Sequence, residues 1–364
     1  MAKRVKDVRL IELEEAGIKP YSISKLNAID GCLLEAYFTY KEHNRGRNSI
    51  YGVMGAKIHD VLEEIYNDTA TKEDLLPALK KELVDADLIG VDFPKDMKGG
   101  TAIKDNWIAD MESFCKSFEK MKGDFSTEEF LILKVSDSRY LIGYADLIQI
   151  VDEENKVIDI YDFKTSAKFK KDDLKHHGRQ LIVYGLAKAQ EGYEIRRLAW
   201  IMLKYVKVQF DGYKRVNSKS KSKITKVIQR CKFAKEMCPV VEKMLYDAGC
   251  DELDVEIMIA NFLEENSLSV LPDEIRNQIT VEQYIEEYPF SEELQQEALD
   301  YINDRADKFE ELWDKPMEQW VPVEINRSQE FYCNNLCKHR DSCHELQRYN
   351  LLVTLEETDD EDLF

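Results

Sequence analysis

The 364-residue sequence predicts an α/β fold in which a mixed β-sheet is flanked by helices. Three strand-like apolar runs follow one another at residues 129–136, 139–151 and 156–164. Helical periods bracket them, at 52–66 before and 171–190 after. A further strand, 197–208 (Leu-Ala-Trp-Ile-Met-Leu-Lys-Tyr-Val at its heart), follows the second helix, and the order helix, hairpin, strand, helix, strand implies a mixed sheet flanked by helices.

Each element has its own signal. In Tyr21-Ser-Ile-Ser-Lys-Leu-Asn, Ser22 or Ser24 can cap a helix running through Cys32 to Tyr40. In the helix at 52–66, Ile58, Val61, Leu62 and Ile65 form an apolar stripe with His59 beside it. Mixed-charge helical segments follow at 72–86 and 103–122. The second and third strands form a hairpin turning at Asp152-Glu-Glu-Asn155. The helix at 171–190 carries Gln180 and Tyr184 at i and i+4, hence on one face. Residues 220–315 read as mostly helical, broken at Pro239, Pro272 and Pro289, with Glu292–Trp313 the clearest helix. With no internal repeat or low-complexity linker, one core with a helical insertion is expected. Residues 1–208 with 316–350 would form that core, 209–315 a basic segment and helical insertion, and 351–364 an acidic disordered tail.

Composition narrows the function. Apolar and charged fractions of 44% and 34% are those of a soluble globular protein. No run approaches the roughly 20 apolar residues of a membrane span. The start Met-Ala-Lys-Arg-Val-Lys lacks the apolar core of a signal peptide, so a cytoplasmic location is expected. No G-x-x-x-x-G-K-[ST] occurs, which excludes a recognisable P-loop motor. A net charge of −20 argues against a polyanionic partner only as an average. From Lys204 to Lys235 there are eleven Lys or Arg against one acid, Asp211. Lys214, Arg215, Lys219, Lys221 and Lys223 in this segment are the candidate DNA-binding residues.

The chemistry concentrates at Gly143-Tyr-Ala-Asp146 and, sixteen residues beyond Asp146, at Asp162-Phe-Lys164. A hairpin brings Asp146 and Asp162 together, and two converging carboxylates suit a hard divalent cation such as Mg²⁺ or Mn²⁺. The two-residue period puts Asp162 and Lys164 on one face and Phe163 on the other. Lys164 can then hold the attacking water or the scissile phosphate. A bare D-x-K is more often a solvated ion pair; its neighbours decide the matter.

Those neighbours are Gly55-x-x-x-His59 on a helix upstream and Gln180-Leu-x-x-Tyr184 on the helix downstream. In this order the four motifs resemble RecB-like members of the PD-(D/E)XK nuclease superfamily, over about residues 20–208 and then the C-terminal cysteine segment. The resemblance implies a restriction-endonuclease-like core in which Asp146 and Asp162 ligate the metal with the Phe163 carbonyl. It also implies His59 as an extra ligand, Lys164 as the water-activating residue, and Gln180 and Tyr184 as steadying the site or the DNA. Glu129 resembles an acidic metal position on the preceding strand, and Glu128 is its ambiguous neighbour. A metal bridging water and phosphate would lower the water's pKa and neutralise charge building on phosphorus.

Cys333-x3-Cys337-x5-Cys343 forms a second constellation, three thiols and so one short of a tetrahedral set. Close-set cysteines in a cytosolic chain are more often metal or cluster ligands than disulfides. RecB-like nucleases of the AddB type complete such a set with a distant N-terminal cysteine, and Cys32 lies in a segment resembling theirs. The resemblance thus implies a [4Fe-4S] cluster clasping the two chain ends. The x3 gap and Leu33 after Cys32 depart from the usual x2 gap and proline. Zn²⁺, with His339 or His344 replacing Cys32, is the alternative.

The expected function is a DNA nuclease, an exonuclease on single-stranded or unwound ends in recombination, repair or replication. A structure-specific or nicking endonuclease, and a non-catalytic DNA-end-binding protein, are the rivals. A phage or mobile-element setting is expected by analogy, with a separate helicase, annealing protein or single-strand-binding protein as partner and no membrane. The tail Glu356-Glu-Thr-Asp-Asp-Glu-Asp-Leu-Phe364 resembles the acidic tips of single-strand-binding proteins.

Overall fold

The computed structural model describes residues 6–96, 99–212 and 222–361, the last six in their backbone only. In chain order the elements are α1 Val8–Glu15, α2 Ile23–Gly31, α3 Leu33–Ala36, α4 Ile50–Tyr66, α5 Leu75–Leu88 and α6 Ala102–Ser117. The strands β1 Asp124–Lys134, β2 Tyr140–Asp152 and β3 Val157–Lys164 follow, then α7 Leu174–Gln190, β4 Glu194–Gly212 and β5 Ser222–Gln229. The chain continues through α8 Phe233–Asp247, α9 Glu252–Glu265, α10 Asp273–Arg276, β6 Ile279–Tyr288, α11 Glu292–Trp313, α12 Arg327–Phe331 and α13 His344–Glu361.

The sheet is mixed, as expected. β1, β2 and β3 form an antiparallel meander. β3 then pairs parallel with β4 across the α7 crossover, the long connection that parallel neighbours require. β4 pairs with β3 through residues 194–202 and with β5 through 205–212, while β6 runs antiparallel along its other edge.

Helices cover both faces. On one, α2, α7 and α11 bury Leu26, Leu181 and Ile302 against Leu131, Ile160 and Trp200. On the other, α4, α5 and α6 bury Leu62, Leu79 and Met111 against Leu147, Tyr161 and Ile201. Beyond the end of β3, α8 and α9 close a third cluster over Val206, Val208 and Phe210 of β4. The side chain of Ser49 caps α4 at Gly52 N. The buried face of α4 is Met54, Ile58, Val61, Leu62 and Ile65, which leaves His59 at its margin.

Three expectations need correction and one needs an addition. Residues 220–315 are mostly helical, as expected, but β5 and β6 also arise within them and complete the central sheet. In β6, Val281, Tyr284, Ile285 and Tyr288 fall at a helical period only because both faces of the strand are partly buried. Pro239 does not end α8, which runs on to Asp247. The helix capped by Ser22 breaks at Cys32, whose backbone is extended (φ −133°, ψ 115°). The backbone of α13 continues to Glu361, so residues 351–361, expected to be disordered, are helical.

Candidate metal centre and active site

The site lies where β2 and β3 part. Their ladder ends at Leu147↔Tyr161, leaving Asp146 and Asp162 just beyond the last pair. In place of the next ladder bond, Phe163 N–H donates to Asp146 Oδ2 at 2.8 Å. A strand residue's N–H and C=O point to the same side, so the Phe163 carbonyl faces this gap too. α4 supplies His59, whose Nδ1 is 3.4 Å from Asp146 Oδ2.

β1 contributes the third group. Glu128 adopts a left-handed backbone, φ 47°, uncommon for a non-glycine residue. The ligand atoms of His59, Glu128 and Asp146 all lie within 4.8 Å of one another, the one such group among the described residues. Glu129 faces the other way, its carboxylate 2.7 Å from Lys188 Nζ on α7 and 2.7 Å from Ser126 Oγ. Of the two neighbouring acids, the structure brings Glu128 and not Glu129 to His59 and Asp146. The left-handed residue interrupts the strand's alternation: Thr127, bonded to Asn67 beyond α4, marks the helix side that Glu128 shares.

The residues from α7 meet the gap from the opposite face. Asp162 is 2% exposed. Lys164 Nζ pairs with the buried Asp162 Oδ2 at 2.6 Å. The same ammonium donates to Gln180 Oε1 at 3.3 Å, and Gln180 Nε2 donates to Tyr184 OH at 2.8 Å. The Tyr184 ring packs flat enough on β2 that a Cβ at Gly143 would come 2.6 Å from its Cε1. Close approach of the ring to the backbone explains the glycine of Gly143-Tyr-Ala-Asp146.

Electrostatics follow from this crowding. Burial pushes the Asp162 carboxyl up to about 6; the Lys164 ammonium opposes that shift and the Asp146 charge adds to it. Burial disfavours protonation of His59, yet its hydrogen bond to Asp146 and the charges of Asp146 and Asp162 outweigh burial and raise its pKa. Burial, then the charge of Asp162, raises Tyr184. The donor set fits a hard divalent cation: the buried Asp162 carboxylate, the half-buried carboxylates of Asp146 and Glu128, a backbone carbonyl and an imidazole.

The four cysteines come together at the opposite end of the sequence. Cys32, at the break between α2 and α3, lines one narrow cavity with Cys333, Cys337 and Cys343. Glu35 and Tyr332, hydrogen-bonded at 2.9 Å, form part of its wall. All four thiols are free. Burial raises Cys333 to about 11, with the Cys32 and Cys343 thiols adding, and raises Cys337 to about 12. His339 is outside the lining and bonds Thr39 Oγ1 through Nε2 at 2.9 Å. Lys214, Arg215, Lys219 and Lys221 lie outside the described residues, whereas Lys223 is exposed on β5 opposite Asp211.

No curated protein matches this sequence. The family model of the PD-(D/E)XK nuclease superfamily matches residues 20–344, a span that holds every residue of the gap between β2 and β3 and all four clustered cysteines. The chain therefore belongs to the PD-(D/E)XK nuclease superfamily.

Proposed function

We propose that the chain is a metal-dependent deoxyribonuclease working as an exonuclease on single-stranded or unwound DNA ends, in recombination, repair or replication. The observation that carries this reading is the convergence of the His59, Glu128 and Asp146 ligand atoms within 4.8 Å of one another, beside the buried Asp162 that Lys164 pairs at 2.6 Å. Carboxylates crowded at one point disfavour each other's ionised form, and a cation offsets that cost.

His59, Glu128, Asp146, Asp162 and the Phe163 carbonyl would hold Mg²⁺ or Mn²⁺. A divalent cation there supplies positive charge to the scissile phosphate and acidifies a water. The protein's own residues do the rest. Asp146 is oriented by Phe163 N–H, so its second oxygen stays available. Lys164, held between Asp162 and Gln180, is placed to take up negative charge on the phosphate or to orient the water. Tyr184 accepts from Gln180 Nε2 and so turns the Gln180 oxygen toward Lys164.

The cavity lined by Cys32, Cys333, Cys337 and Cys343 would hold a [4Fe-4S] cluster and tie α2 to the C-terminal segment. One observation favours this over zinc held by three thiols and a histidine: Cys32 shares the cavity wall with the other three thiols, whereas neither His339, engaged by Thr39, nor His344 lines it. Among the described residues no helix is long and apolar enough to cross a membrane. A cytoplasmic location, DNA contact through Lys214, Arg215, Lys219, Lys221 and Lys223, and work alongside a separate helicase, annealing or single-strand-binding protein belong to the same reading.

The test is digestion of end-labelled and circular single-stranded DNA with Mn²⁺. Release of nucleotides from linear strands with circles left intact supports the exonuclease. Cleavage of circles would point to an endonuclease, and binding without cleavage to an end-binding protein.

A further inference from the structure

The loop leading into α4 and the segment after Cys337 are stitched side by side. Arg47 N–H donates to Lys338 O at 2.8 Å, and Arg340 Nη1 donates to Arg47 O at 3.0 Å and to Cys337 O at 2.9 Å. Gly46 is left-handed, φ 61°, and a Cβ there would lie 2.5 Å from Lys338 O, so only glycine permits the approach. The junction gathers Arg45, Arg47, Lys338 and Arg340, the first three exposed.

Two of these four cations are occupied. Arg340 spends its fork on main-chain carbonyls, and Arg47 donates to Gly90 O and lies 3.8 Å from Asp341. Arg45 and Lys338 are different: among the described residues neither forms an ion pair within 4.0 Å, although the Lys338 charge reaches Glu35. On a chain of net charge −20, an exposed pair of cations held in no close ion pair is a local exception.

Its position gives the exception meaning. α4 begins at this loop and runs to the cleavage site: Gly55 faces Thr165 Oγ1, at 3.4 Å from where a Cβ would be, next to Lys164, and His59 follows one turn later. Nine residues separate Ile50 from His59, about 13 Å at 1.5 Å per residue. That is the length of roughly four stacked nucleotides at 3.4 Å each.

We propose that Arg45 and Lys338 form a basic rim that holds the phosphate backbone of a nucleic-acid strand at least about four nucleotides from the cleaved bond, the length of α4 from its start to His59. This rests on the nuclease reading of the site. Phosphate is the partner chemistry because the rim and the metal site lie along one helix, and a strand engaged at the site passes the rim if it follows α4.

The experiment uses the full chain in buffer without Mg²⁺ or Mn²⁺, so that nothing is cleaved, with labelled oligothymidylates of four and ten nucleotides. The wild type is expected to bind the ten-mer more tightly than the four-mer. The double variant Arg45→Gln/Lys338→Gln should lose most of that difference, about tenfold in affinity, and the ten-mer's salt slope should fall by about 1.4, at 0.7 per single-strand phosphate contact. Both side chains are exposed, so the melting temperature should not move. An unchanged length dependence and slope overturn the proposal, and so does equal weakening of both lengths, which would mean the rim is not remote. If the wild type bound neither oligonucleotide, the nuclease reading itself would fail and the rim with it.

Discussion

Phe163 N–H donates to Asp146 Oδ2 across 2.8 Å, and this one bond locks the acid on β2 to the strand that carries Asp162 and Lys164. The hairpin alone does not do this, since its ladder has already ended at Leu147↔Tyr161. Removing either acid should therefore disable the centre without unfolding the protein. Asp146→Asn keeps an acceptor for Phe163 N–H but loses charge, and should reduce Mn²⁺-dependent cleavage at least about a thousandfold. Strand digestion beside a binding assay checks this, and DNA affinity should persist.

Asp162→Asn separates stability from catalysis. The wild-type carboxylate is buried, and burial outweighs the Lys164 ammonium 2.6 Å away, pushing its pKa up to about 6. An amide carries no charge to bury, so the variant should melt higher than the wild type in metal-free buffer, by about 1–3 kcal/mol. Mg²⁺ or Mn²⁺ should raise the melting temperature of the wild type and leave the variant where it was. A variant that melts lower without metal would show that the Lys164 ion pair outweighs desolvation.

Neighbouring glutamates should behave oppositely. Glu128→Gln removes a carboxylate within 4.8 Å of the His59 and Asp146 ligand atoms, and should weaken metal activation with little change in stability. Glu129→Gln should leave metal dependence alone and cost about 1 kcal/mol or more, because Lys188 Nζ, only 5% exposed, would keep Glu191 as its one charged partner. Metal titrations of activity and thermal melts on both variants check the assignment.

Much of this was legible in the sequence. Strand alternation and helical stripes gave β2, β3, α4 and α7, and the two-residue and four-residue spacings placed Lys164 with Asp162 and Tyr184 with Gln180. Glu128 was not legible, because periodicity assumes a regular pleat and one left-handed residue is invisible to it. β6 was hidden for a related reason: a strand with both faces partly buried mimics a helical period. Cys32 was reached by resemblance alone, and no local pattern foretold that the chain would turn extended there to aim its thiol at residues 300 positions away.

Gly143→Ala tests the relay from Tyr184 to Lys164. The added methyl would start 2.6 Å from Tyr184 Cε1, so the ring must move or β2 must bend. Overpacking of this kind costs about 1–3 kcal/mol. If the ring moves, Gln180 loses its fixed acceptor and Lys164 its position, so activity should fall well beyond the loss of folded protein. Tyr184→Phe, with the same ring and no hydroxyl, should show the catalytic part of the defect with little of the steric part. Turnover per folded molecule, measured after thermal melts, distinguishes the two.

Cys337→Ser addresses the other end of the chain. Cys337 sits in the cavity wall with Cys32, Cys333 and Cys343, and the next residues stitch Lys338 and Arg340 to the loop ahead of α4. If the thiols hold a [4Fe-4S] cluster, protein purified anaerobically should be brown and carry about four irons per chain. The variant should be colourless and melt lower. Because the stitched loop leads into the helix that carries His59, it should also bind activating metal more weakly. A colourless wild type containing zinc would refute the cluster, and a variant with unchanged metal activation would show that the clasp and the cleavage site act independently.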